Sequence, residues 1–110
     1  MKTYPLKRED GQIFAFEIRG AGLWTGSLAR LLERVPGVAN VRRVRSEDNR
    51  LAFEVNGEPF VVWEPWGDNS RYWVGPVDTS VTLGNASALE SHLRQASAWF
   101  EWPWRLLGGG

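Results

Sequence analysis

Residues 50–64 read RLAFEVNGEPFVVWE, two runs of alternating apolar residues separated by the dipeptide Asn56-Gly57. Both residues of that dipeptide tolerate positive φ, which a two-residue type I′ turn demands, so the stretch predicts a tight β-hairpin. Such a turn leaves no freedom in the register. Val55 then faces Glu58, Phe53 faces Phe60 and Leu51 faces Val62, and these pairs form the side turned to the core. The other side carries Glu54 across from Pro59, Ala52 across from Val61 and Arg50 across from Trp63. A further strand over 71–75 extends the sheet. If Glu64 pairs with Arg71 across the intervening loop, Tyr72 lies beside Trp63; a slip of one residue exchanges Tyr72 for Trp73.

The rest of the chain supplies partners for this hairpin. Residues 12–19, QIFAFEIR, alternate Phe14, Phe16 and Ile18 against Ile13, Ala15, Glu17 and Arg19, the period-two pattern of a half-buried strand. After GAGLWTGS, Leu28, Leu31, Leu32 and Val35 recur at helical spacing, with Thr25 or Ser27 as cap and Pro36-Gly37 as stop. Residues 38–45 are valine-rich and predict a second strand with imperfect alternation, followed by a turn at SEDN. A polar loop after Pro76 contains a short edge strand at 80–83. Ser87 and Glu90 have the spacing of a capping box, opening a helix with the stripe Leu89, Leu93, Ala96 and Phe100 that Pro103 ends. The order β-α-β-β-β-β-α predicts an α+β two-layer sandwich: an antiparallel sheet of four to five strands with both helices on one face, a variant of the ferredoxin-like plan. Residues 1–107 read as one domain, and 108–110 as a flexible glycine tail.

Composition narrows the function classes. The 110 residues carry 13 basic and 13 acidic side chains, so no global field draws the chain to nucleic acid or to an anionic membrane. The absence of cysteine removes disulfides, thiolate metal sites and cysteine nucleophiles together. No apolar run approaches the roughly 18 residues of a membrane helix, and no apolar segment follows the early positive charges, so a cytoplasmic location is expected. Eleven arginines against two lysines read as the codon usage of a bacterium with a GC-rich genome.

Motifs for catalysis are sparse. HExxH, Walker and GxSxG signatures are absent from the sequence. GAGLWTG at 20–26 leads from a strand to a helix but lacks a lysine and dinucleotide spacing, and reads as a turn. His92, the only histidine, reads as a helix-flank residue. Glu64 and Asp68 flank a turn beside Arg71, a pair able in principle to act as general acid and base in a small hydrolase. Asp, Asn and Ser in such a loop more commonly bond their own backbone. No cofactor or metal is expected, since EPWGDNS lacks the regularly spaced oxygen ligands of a calcium loop.

The strongest functional signal is aromatic. Seven tryptophans are several times ordinary usage for a chain this short. On the open sheet face Trp63, Tyr72 and Arg50 form a patch, and Trp66, Arg71, Asp68 and Asn69 belong to the loop at its end. Interfaces favour Trp, Tyr and Arg, so the expected function is non-catalytic: recognition of a protein partner, or self-association as a homodimer. The alternative ligand is single-stranded nucleic acid, stacked on the rings and held by Arg42, Arg43, Arg45 and Arg71. A third arrangement folds Trp99, Trp102 and Trp104 back over the patch and makes it all core.

Overall fold

The computed structural model describes residues 2–19, 25–44, 49–64, 71–80 and 84–95. Asn56 and Gly57 adopt φ of 49° and 84°, the left-handed pair that a type I′ turn requires. The turn joins β4 (Asn49–Val55) to β5 (Glu58–Trp63), with Val55 opposite Glu58, Phe53 opposite Phe60 and Leu51 opposite Val62, as the sequence predicts. At the far end of the hairpin the register shifts between Asn49 and Leu51. This irregularity corrects one expected pair: Asn49, not Arg50, lies opposite Trp63.

Around the hairpin stand β1 (Thr3–Lys7), β2 (Ile13–Arg19), α1 (Thr25–Glu33), β3 (Val38–Arg43) and β6 (Arg71–Pro76), and residues 85–95 form a second helix, α2. The six strands make one sheet, antiparallel throughout, in the order β1-β2-β6-β5-β4-β3. The α+β class stands. The expected four to five strands are corrected to six, and the expected order gains a hairpin before the first helix. β2 and β3, which flank α1, are separated by three other strands, so the sheet does not follow a ferredoxin-like order. The additional strand is β1. Its sequence TYPLK contains a proline, which a sheet accepts at an edge because the missing N–H takes nothing from a ladder. The signal for it was Asp10-Gly11: Gly11 has φ of 86°, and Asp10 accepts the Gln12 N–H at 2.9 Å, closing the β1–β2 turn.

The core lies between the helices and one face of the sheet. Phe16 and Ile18 of β2, Tyr72 and Val74 of β6, Phe60 and Val62 of β5, and Leu51, Phe53 and Val55 of β4 all point inward and are at most 4% exposed. Leu28, Leu31 and Leu32 from α1 and Ala86, Leu89 and Leu93 from α2 join the same cluster. The predicted capping box at Ser87 is corrected, because α2 already contains residue 85 and Ser87 lies within it. Buried Glu90 instead accepts a 2.6 Å hydrogen bond from Thr3 Oγ1 on β1 and pairs with Arg94 at 3.2 Å. The second strand ends at Arg43, and its imperfect alternation has a cause: Asn40 sits at φ 56° in an irregularity between Ala39 and Arg42. Predictions at 20–24, 45–48, 65–70, 81–83 and 96–110 lie outside the described residues, as do the side chains of Thr25, Asn49 and Arg50.

The hairpin turn is tied into the fold by polar contacts. Asn56 N–H donates to the Gly37 carbonyl at 2.8 Å, and Asn56 Nδ2 donates to Asn85 Oδ1 at 2.9 Å. Asn85 Nδ2 in turn donates to Glu58 Oε1 at 2.9 Å. Gly37, at φ 89°, lies against the Asn56 side chain, where a Cβ would collide with the amide oxygen. Asn56→Ala removes the left-handed preference and one partner of a part-buried bond, so it should cost about 1–3 kcal/mol, read as a lower urea midpoint with an unchanged slope. An unaltered midpoint would show that the turn is not a structural anchor.

Candidate functional site

The face turned away from the helices carries the candidate site, and the same alternation that fills the core determines it. β6 pairs with β5 so that Trp73 lies opposite Trp63, with Val62 opposite Val74 on the inner side. The alternative with Tyr72 beside Trp63 is corrected: Tyr72 points inward and is 4% exposed, opposite Ile18 of β2. Glu64 also turns inward, at 5% exposure, whereas Arg71 lies on the outer face, so the two do not close the hairpin base together. Trp73 is the site residue that fixed-register reasoning missed. Only the one-residue slip recognised in the sequence would have found it.

Trp63 and Trp73 meet edge to face, with ring centroids 6.2 Å apart and planes at 77°. They lie on β5 and β6, the two central strands of the sheet. Trp63 is 37% exposed and is one of the largest apolar side chains left in contact with solvent among the described residues. Across the sheet from Trp73 come Glu17 on β2 and then Tyr4 on β1, giving a row Tyr4, Glu17, Trp73, Trp63. The adjacent row is low: Ala52, Val61 and Gly75 are neighbours across β4, β5 and β6, with Ala15 beside Gly75 on β2. Gly75 is required for space, because a Cβ there would come within 2.7 Å of Trp73 Cη2 and 2.8 Å of the Ala15 Cβ. The benzo end of Trp73 thus occupies the volume that any larger residue at 75 would need.

Arg71 organises the polar side of this row. Its Nη1 lies 3.1 Å from Glu17 Oε1, and its guanidinium carbon stands 3.9 Å over the centre of the Tyr4 ring. A partly exposed ion pair and a surface cation–π contact each contribute about 1 kcal/mol or less, so they orient Arg71 more than they stabilise the fold. Their larger effect is to balance the Arg71 charge beside Trp73.

Among the described residues, groups with catalytic potential do not converge. His92 is exposed on α2, Glu64 is buried on the inner side, and Asp68 lies outside the described residues, as do Trp66 and Asn69. The Asp78 carboxyl is held below the usual carboxylate range by the Ser80 hydroxyl and then the Ser80 N–H, a local turn. Among the described residues no group of three His, Cys, Asp or Glu side chains is placed to hold a metal ion, and no helix is long and apolar enough to cross a membrane. Comparison with protein-family models, curated proteins and solved structures finds no match to this chain.

If Trp73 depends on the gap at position 75, Gly75→Ala should displace the indole and lower stability by about 1–3 kcal/mol. The far-UV exciton signal of the two coupled tryptophans should weaken in parallel. Retention of both the signal and the denaturation midpoint would mean that the two rings do not meet as described.

Proposed function

We propose that this chain is a non-catalytic binding protein that recognises another polypeptide through the open face of its sheet. The observation that carries this is the Trp63–Trp73 pair, two orthogonal indoles on the central strands of a face over which no described element lies. Large aromatic side chains near the middle of a patch are the usual anchors of protein interfaces, since they bury much area with few torsions to freeze. At 37% exposure Trp63 leaves roughly 90 Å² of mostly apolar surface in water, which a partner could bury for about 2 kcal/mol. Polypeptide is favoured over single-stranded nucleic acid because Arg71 is already neutralised by Glu17, and Tyr72 is turned into the core. A cytoplasmic setting belongs to the same proposal and is supported by the cysteine-free composition.

A photo-reactive phenylalanine analogue in place of Trp63 tests this in cells that produce the chain. The expected outcome is one discrete protein adduct, absent when the same probe replaces exposed His92 on α2. Adducts to nucleic acid, or no discrete adduct at position 63, would overturn the proposal.

A further inference from the structure

The open face has the properties of a surface that binds itself, and we propose that its occupant is a second copy of this chain, packed sheet to sheet about a two-fold axis. This rests on the recognition function proposed above and names the partner.

Shape supplies the first argument. A two-fold interface uses one patch twice, so that patch needs both a projection and a recess. Trp63 provides the projection on β5. The recess is the low Ala52–Val61 pair beside it, where both side chains are small or medium-sized and half-buried. A rotation that places one copy's Trp63 over the other's Ala52 and Val61 brings the reciprocal contact with it.

Charge supplies the second. A face with a net field selects a partner of opposite sign, and two copies of it repel. Here Arg71 pairs with Glu17, and Arg42 of β3, opposite Ala52, has Glu54 on the same face of β4, so the charges beside Trp63 and its recess come in opposite signs. The whole chain, with 13 basic and 13 acidic residues, adds no long-range repulsion between copies.

Area and edges supply the third. With strands about 4.8 Å apart and a rise of about 3.3 Å per residue, this six-stranded sheet projects a face of roughly 500 Å², before its side-chain relief is counted. That is on the scale of the roughly 600–800 Å² per partner of a modest to standard interface. Association by strand addition is disfavoured at both edges: β1 carries Pro5, and β3 is interrupted at Asn40, whose carbonyl already accepts from Arg42 Nη1 at 2.9 Å. The face is the remaining route.

Sedimentation equilibrium of the purified full chain, over a hundredfold range of concentration, reads this out. The wild type should show a reversible dimer, and Trp63→Glu should weaken it by about thirtyfold or more, as for loss of a central anchor, with a far-UV circular dichroism spectrum that differs only by loss of the tryptophan exciton signal. Ala52→Glu, on the recess, serves as a second disrupting variant if Trp63→Glu does not fold. A monomer at every concentration, or a dimer indifferent to both glutamate variants, overturns the second copy as occupant. Should the chain be monomeric while the probe at position 63 captures a different protein, self-association fails and the recognition function stands; failure of both experiments removes both.

Discussion

The structure depends on two consecutive residues in the left-handed region. With Asn56 at φ 49° and Gly57 at φ 84°, the β4–β5 connection is restricted to two residues, and side-chain parity on both strands is settled at once. Phe53, Phe60, Leu51 and Val62 go to the helices, and Ala52, Val61 and Trp63 go to the opposite face. The turn is also braced from outside. Gly37 and Asn85 hold Asn56, so the α1–β3 connection, the start of α2 and the hairpin tip form one hydrogen-bonded corner. A shift of one residue in β5 would turn Trp63 into the core and Phe60 into solvent, and would break that corner as well.

β6 inherits its parity from packing, since no short turn dictates it. Its inner positions must complete the row between Phe16 and Ile18 on one side and Val62 on the other, and Val74 and Tyr72 do so. Trp73 is thereby placed outward, where Gly75 and Ala15 leave room for its ring. Core completion and the small residues of the outer face therefore act in the same direction. The exposed indole pair is a consequence of filling the inner face, and its cost is apolar surface left in water on the two central strands.

Much of this was legible in the chain. The inward hairpin pairs, the stripe of α1, Leu89 and Leu93 of α2, and the alternation of β2 follow from period and turn chemistry, which are local. Four features were not. β1 contains Pro5, which reads as non-strand until an edge position is known. Asn49 displaces Arg50 from Trp63 through a ladder irregularity that leaves no mark in the amino-acid pattern. Glu90 has the spacing of a capping partner but is bonded to Thr3, 87 residues away, a contact that only the tertiary fold creates. Tyr72 and Trp73 are both aromatic and adjacent, and hydrophobicity alone does not say which one faces in. A longer connection leaves parity open, and the choice passes to volume and neighbours that sequence period does not encode.

The central claim is that β5 and β6 are registered with Trp63 against Trp73 and with Tyr72 inside. Nuclear Overhauser contacts in the purified chain measure this directly. The account predicts contacts between the Trp63 and Trp73 indole protons, together with contacts from the Tyr72 ring to the Ile18 methyls. Contacts from Trp63 to Tyr72, with Trp73 instead touching the core methyls, would contradict it.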